Sequence, residues 1–260
     1  MELDLNGKTA VVTGASRGIG LATVRALIHE GVRVVGAART ITPALKESGA
    51  FAVSADLSTS EGVAVLMDGA FAELGGIDLL VNNVGAGDAV KPVGFLDTDD
   101  AQWHGVFDLN LLSAVRVSRA ALPSLIERGG AIVNVSSINS RLPAAGPVAY
   151  SAAKAALTSL GKSLAEEFGP RGVRVNTVSP GAVRTAIWED PDGFGGEIAA
   201  GAGVEHAAFL AQIPTAFGIT SGRITEPEEV ASLITFLLSG VAGNVTGADY
   251  VIDGGTVKAV

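Results

Sequence analysis

Short, β-branched apolar runs alternate along the chain with longer stretches in which hydrophobic positions recur at helical spacing. Lys8–Thr13 (KTAVVT), Val32–Ala37 (VRVVGA), Ala50–Ser54 (AFAVS), Ile77–Val81 (IDLLV), Ala131–Val135 (AIVNV) and Val173–Thr177 (VRVNT) read as strands, with Asp249–Ile252 as the last. Their apolar character is nearly continuous rather than alternating, which suits strands covered on both faces. Between them, Glu61–Leu74, Asp99–Leu122, Val148–Phe168 and Pro227–Leu238 have the length and period of helices. The last of these opens on Thr225-Glu226-Pro227-Glu228, a hydroxyl, early acids and a proline near the first turn. This alternation predicts an α/β single domain over residues 1–260. Its core would be a doubly wound parallel sheet of about seven strands, with right-handed crossovers and helices on both faces.

The segment 183–222 breaks the rhythm. Gly and Pro punctuate it, and Trp188, Phe194, Phe209 and Phe217 are scattered through it. An irregular insertion of ~40 residues in a compact domain predicts a lid whose apolar side chains cover something.

Composition narrows the chemistry. With 48% hydrophobic and 17% charged residues among 260, the chain can bury a large core. It has no cysteine, which excludes disulfides, thiolate metal sites and cysteine nucleophiles. His29, His104 and His206 have no metal-ligand spacing, so no metal is expected. Eighteen basic against 27 acidic residues give a net charge of −9, which argues against nucleic acid and anionic membranes. Residues 1–8, MELDLNGK, lack the basic start of a secretory signal, and the uncharged stretch Val230–Ala248 is broken by glycines. A cytoplasmic protein is the expectation.

Thr13-Gly14-Ala15-Ser16-Arg17-Gly18-Ile19-Gly20 follows the first strand directly and opens a helix, expected from Leu21. Its glycines permit a tight turn and a close approach of main-chain N–H groups to a pyrophosphate, whose charge the helix end favours. The spacing is neither that of G-x-G-x-x-G nor that of a Walker loop. At the first βα turn it points to a dinucleotide; the bland alternative is an ordinary strand-to-helix turn.

Tyr150 and Lys154 share a face of the helical pattern Tyr150, Ala153, Leu157, Leu160, Leu164, Phe168. A phenol is a poor base at neutral pH, and a nearby cation favours its phenolate. At ~4 Å and an effective dielectric of ~20 the attraction is about 4 kcal/mol, enough to move a pKa by a couple of units. Such a tyrosine can exchange a proton with an alcohol or carbonyl oxygen. The alternative is an amphipathic side chain beside a solvated charge.

The glycine loop and the Tyr–Lys pair, in this order on an alternating βα chain, resemble the short-chain dehydrogenase/reductase family, and within it the 3-oxoacyl-acyl-carrier-protein reductase-like members. The resemblance spans about residues 6–255. Asn82-Asn83-Val84-Gly85 is similar to the family's Asn-Asn-Ala-Gly motif, with Val84 the one departure. Asn110, Ser137 and the turn Pro180-Gly181 with Val183 and Thr185 also fall in place. The resemblance implies a Rossmann-like fold and a catalytic set of Asn110, Ser137, Tyr150 and Lys154. Tyr150 would be the acid/base, Lys154 would lower its pKa and bind the nicotinamide ribose, Ser137 would hold the substrate oxygen, and Asn110 would support a water path. Cofactor contacts are implied at Gly14, Ser16, Arg17, Gly18, Ile19, Gly20, Arg39, Asp56, Leu57, Asn83, Gly85, Tyr150, Lys154, Pro180, Gly181, Val183 and Thr185. A homotetramer is implied too, a dimer being the alternative.

The end of the second strand bears on cofactor choice. NAD-preferring relatives place an acid there for the ribose 2′-hydroxyl. Here the residue is Ala38, followed by Arg39, with Arg17 in the glycine loop. Two guanidinium groups suit a 2′-phosphate, so NADP(H) is expected, with NAD(H) as the runner-up. The substrate is expected to be a small carbonyl or alcohol: a neutral or acyl ketone, a ketoacyl thioester included, reduced to a secondary alcohol. Pocket candidates are Asn139, Leu142, Val148, Trp188 and the lid, which carries no Lys or Arg from Thr185 to Ser221. The alternatives are an NAD-dependent sugar, polyol or small-alcohol dehydrogenase and a non-catalytic NADP(H) sensor.

Overall fold

A computed structural model describes residues 2–85, 94–143 and 146–258. In chain order it holds β1 (Thr9–Thr13), α1 (Gly18–His29), β2 (Arg33–Ala38), α2 (Pro43–Lys46), β3 (Phe51–Ser54), α3 (Ser60–Leu74) and β4 (Leu79–Asn82). There follow α4 (Asp100–Phe107), α5 (Ser113–Arg128), β5 (Ala131–Val135), α6 (Val148–Phe168) and β6 (Arg174–Pro180). The chain then forms α7 (Ala186–Glu189), α8 (Phe194–Gly201), α9 (His206–Ala216), α10 (Pro227–Leu238) and β7 (Asp249–Ile252).

The strands make one seven-stranded sheet in the order β3-β2-β1-β4-β5-β6-β7. Every pairing is parallel. Successive side chains of β1 serve opposite layers. Ala10 and Val12 pack with Leu21, Val24 and Leu27 of α1 and Val230 and Ile234 of α10. Val11 packs on the other side with Leu66 of α3 and Val117 and Leu125 of α5. Two buried faces account for the near-continuous apolar strands. The chain runs outward from β1 to β3 and then returns to place β4 on β1's other side. This reversal opens a crevice at the carboxyl ends of β1 and β4, where ligands bind in doubly wound sheets.

Three sequence expectations change. First, α1 starts at Gly18, not Leu21. Second, the helix read over Asp99–Leu122 is two helices joined by a π turn at Asp108–Leu112. Asn110 Nδ2 donates to the Val106 carbonyl at 2.9 Å and Ser113 Oγ to that of Leu109 at 2.6 Å, so side chains take over carbonyls at the register shift. Third, the segment 183–222 is not irregular but holds α7, α8 and α9. These helices are short, and Pro191 separates α7 from α8 while Pro214 lies inside α9, so each runs too briefly to show a hydrophobic period. No helix among the described residues is long and apolar enough to cross a membrane.

Candidate active site

The crevice is a cavity of about 970 Å³ that runs from the glycine loop to the α7–α9 segment. At its floor Thr13 stitches β1 to β4. Its Oγ1 donates to the Val81 carbonyl and accepts from the Asn83 and Val84 amides, while Asn83 Nδ2 returns to the Thr13 and Gly14 carbonyls. Gly14 has φ +65°, and a Cβ there would stand 2.8 Å from Asn83 Nδ2 and 3.0 Å from Val84 Cα. Gly18 has φ +53° and would meet Thr185 Cγ2 at 3.0 Å, so the loop lies against the β6–α7 turn with no room for a side chain. Arg17 is the N-cap of α1 but caps it with no side-chain bond, and the first turn holds no acid. The amides at that helix end therefore suit an anion.

At the far end of β2, Ala38, Arg39 and Thr40 line the same cavity as Ser16 and Arg17. Ser16 Oγ donates to the Thr40 carbonyl, and Thr42 Oγ1 to the Ser16 carbonyl at 2.8 Å, which joins this strand end to the glycine loop. Leu57 lines the cavity between β3 and α3. Asp56 does not; its carboxylate accepts from Ser58 N at 3.0 Å and Ser58 Oγ at 2.7 Å. Those bonds, with the Arg39 charge, hold its carboxyl below the usual value against the effect of burial.

Ser137, Tyr150 and Lys154 line the middle of the cavity with Gly85, Pro180, Gly181, Val183 and Thr185. Ser137 leaves β5 and caps the following 3-10 turn, accepting from Asn139 N at 3.2 Å. Tyr150 and Lys154 lie on the first turns of α6, as the four-residue spacing predicts, with Lys154 Nζ 5.7 Å from the centre of the Tyr150 ring. Lys154 is 3% exposed and donates to the Val135 carbonyl at 2.8 Å. Burial pushes the Tyr150 phenol above its ordinary value, the Ser137 hydroxyl partly offsetting it, and burial lowers Lys154 to about 8. Burial is the larger of these two influences on the phenol. Asn110 is buried outside the cavity lining, yet it is close: a Cβ on Gly85 would stand 2.9 Å from Asn110 Oδ1 and 3.3 Å from Lys154 Nζ.

Of the pocket candidates, Asn139, Leu142 and Trp188 line the cavity and Val148 does not. Among the lid aromatics Phe194 and Phe217 line it, while Phe209 packs against a small core of Ala182, Ile213, Ile219 and Ile224. Sequence reasoning missed Thr42, Ile187 and Thr256. The turn signal Asp253-Gly254-Gly255 stood beside Thr256: Asp253 Oδ1 accepts from Gly255 N at 2.8 Å and Oδ2 from Val257 N at 2.7 Å, folding the chain back to the pocket.

A glycine loop at the switch point, with a Ser–Tyr–Lys set beside it, defines a dinucleotide-binding oxidoreductase of the α/β class. The family model described as Enoyl-(Acyl carrier protein) reductase matches residues 14–257, and the chain belongs to the short-chain dehydrogenase/reductase family. It is 34% identical to 3-oxoacyl-acyl-carrier-protein reductase FabG of Vibrio cholerae over 260 residues, covering 97% of this chain and 98% of that protein. It is 38% identical to cis-4-hydroxycyclohexanecarboxylate dehydrogenase of Sinomonas cyclohexanicum over 256 residues, covering 95% and 96%. Among solved structures, L-sorbose reductase from Gluconobacter frateurii, complexed with NADPH and L-sorbose, superposes with a TM-score of 0.92 at 32% identity over 100% of both chains.

Proposed function

We propose that this enzyme interconverts a ketone and a secondary alcohol with NADP(H), using Tyr150 as the acid/base. The observation that carries the reading is the convergence of Ser137, Tyr150 and Lys154 on one cavity with the glycine loop and two arginines. The uncapped α1 terminus and the glycines at 14 and 18 would hold the pyrophosphate. Arg17 and Arg39 would take the 2′-phosphate, and Gly181, Val183 and Thr185 the carboxamide. Asp56 bonds Ser58 through Oδ1 alone, which leaves Oδ2 for adenine, and Leu57 beside it lines the cavity. The NADPH complex of the sorbose reductase and the kinship to FabG support this cofactor.

NADPH held by these residues would supply the hydride for the carbonyl carbon. Ser137 holds the carbonyl oxygen against Tyr150. Tyr150 gives that oxygen its phenolic proton as the C=O double bond becomes single. A solvent proton then restores the phenol by way of Lys154, with Asn110 across Gly85 supporting the path. Ketone, NADPH and one proton become alcohol and NADP⁺. A phenol raised by burial is neutral at physiological pH, the form that reduction needs. The segment 183–222 serves as the lid on the substrate. The homotetramer and the cytoplasmic setting belong to the same reading, carried by the family resemblance.

The test is turnover with NADPH and NADH, followed at the nicotinamide absorbance, in the native enzyme and Tyr150→Phe. The variant should lose about 10²–10⁴-fold in kcat and keep its cofactor affinity. Retained turnover would sink the acid/base assignment, and an NADPH sensor would bind cofactor with no turnover in either form.

A further inference from the structure

The part of the cavity beyond Ser137 and Tyr150 has a composition of its own. Trp188 of α7 stands between two other aromatic rings. Its centroid is 5.8 Å from that of Phe194 at 76°, and 5.5 Å from that of Phe217 at 67°. Both are edge-on arrangements of the kind aromatic pairs favour. The Trp188 backbone is fixed as well. Its carbonyl is 2.8 Å from His206 Nε2, and a Cβ on Gly195 would stand 2.7 Å from the same carbonyl oxygen, so α8 and α9 both clamp it. Leu142 and Ile187 extend this apolar wall.

Polar groups there are few. Asn139 already exchanges bonds with Ser137, accepting from Ser137 Oγ at 3.2 Å. Among the described lining residues no carboxylate occurs, and the charged ones are Arg17, Arg39 and Lys154, all on the cofactor and catalytic side. Arg184, at the entrance to α7, is held by Glu226 at 2.9 Å and Glu189 at 3.3 Å. Among the described residues of this wall a polyhydroxylated ketose would find few partners for its hydroxyls, and an anionic chain no cation.

The geometry points to a neutral, apolar ring ketone, alicyclic or fused to an aromatic ring, as the substrate class, with Trp188, Phe194 and Phe217 as its specificity wall. This rests on the ketone-reduction reading above and adds to it the shape and polarity of the substrate body. The carbonyl lies at Ser137 and Tyr150, and the ring lies on the aromatic faces.

The experiment compares 2-decalone and 1-tetralone with butanone, L-sorbose and an acetoacetyl thioester, all with NADPH. The bicyclic ketones should exceed L-sorbose and the thioester by about 100-fold or more in kcat/KM. Trp188→Ala should lower kcat/KM for 2-decalone about 10- to 100-fold, chiefly through KM, and so narrow its preference over butanone. A second readout needs no turnover. In Trp103→Phe the remaining tryptophan is Trp188, whose fluorescence should change saturably with 2-decalone and not with L-sorbose. Preference for the ketose or the thioester, or a Trp188→Ala loss equal for all substrates, overturns this inference while leaving the reaction class standing. Absence of turnover with every ketone, butanone included, overturns the reaction class itself.

Discussion

The ammonium of Lys154 lies 5.7 Å from the centre of the Tyr150 ring, while its bond goes to the Val135 carbonyl at 2.8 Å. A buried cation thus lies beside the phenol proposed as acid/base and is bonded to a main-chain oxygen. Burial lowers its pKa from 10.5 to about 8, so between those values the unfolded chain binds the extra proton and stability rises with pH. The cost is fully present below pH 8 and amounts to roughly 3 kcal/mol. Lys154→Met removes this cost along with a hydrogen bond worth about 1 kcal/mol. The variant should be inactive yet melt a few degrees higher than the native protein at pH 7, with the gain fading towards pH 10. Thermal unfolding at the two pH values checks this; a variant less stable at pH 7 would show that the ammonium is not held at a cost.

The same lysine should report cofactor binding. The negative charges that NADPH would bring into the cavity would favour its protonated form, so NADPH binding near pH 8 to 9 should take up protons. Calorimetry in buffers of different ionisation enthalpy measures that uptake. It should vanish in Lys154→Met, and an uptake that persists would assign the proton to another group.

Arg39 and Ala38 stand side by side at the end of β2, lining the cavity. Charge-assisted hydrogen bonds contribute about 1.5–3 kcal/mol, so Arg39→Ala should weaken NADPH about 10- to 100-fold and leave NADH little changed. Adding Ala38→Asp should repel the 2′-phosphate, offer an acceptor to a 2′-hydroxyl, and reverse the preference. Steady-state KM values for both cofactors decide it; a loss equal for NADPH and NADH would mean that Arg39 does not read the 2′ position.

What was legible in the sequence follows from how local each signal is. Tyr150 and Lys154 fall on one helix face because a four-residue spacing does so anywhere, and the glycine loop declares itself by following a strand. The π turn at Asn110 was invisible, since it depends on side chains replacing two i−4 carbonyl bonds within an unbroken apolar pattern. Asp56 is expected from sequence as an adenine contact, and that Ser58 occupies its Oδ1 is set by the β3–α3 turn, which spacing does not encode. Phe217 and Thr256 reach the pocket only through tertiary folding, 38% of Phe217 remaining exposed. The pKa order of Tyr150 and Lys154 depends on burial, which spacing does not encode.

Gly20 lies inside α1, where alanine would ordinarily stabilise by about 1 kcal/mol. Here a Cβ would stand 2.1 Å from the Gly14 carbonyl oxygen and 2.6 Å from Asn83 Nδ2. The first of these is main chain and cannot rotate away, so sterics override propensity and the glycine loop must shift. Gly20→Ala should lower stability by about 1–3 kcal/mol and abolish measurable NADPH binding by fluorescence titration. Binding at native strength would mean that the loop flexes enough to spare its phosphate contacts.

Asp78 lies at the amino ends of β1 and β4, opposite the cavity. Its Oδ2 accepts from Thr9 N at 2.9 Å and Thr9 Oγ1 at 2.8 Å, and its Oδ1 faces Lys8 at 3.8 Å and Arg128 at 3.5 Å. Burial raises the carboxyl pKa, but the Thr9 bonds and the two cations outweigh it and hold it below the ordinary value. A depressed carboxylate contributes stability that is present above its unfolded pKa and lost as pH falls through its folded one. Asp78→Ala leaves the Thr9 amide buried without this acceptor, while the Thr9 hydroxyl keeps the Gly76 carbonyl at 2.8 Å; the loss is about 1–3 kcal/mol, or roughly 2–10 °C in Tm for a chain of this size. The difference from the native protein should shrink below pH 4 as the native carboxylate is protonated. Because β1 and β4 begin at this end and carry the cavity at their carboxyl ends, kcat and KM at 25 °C should stay within about twofold. A large kinetic defect in folded Asp78→Ala would show that the sheet transmits strain along its strands to the cavity.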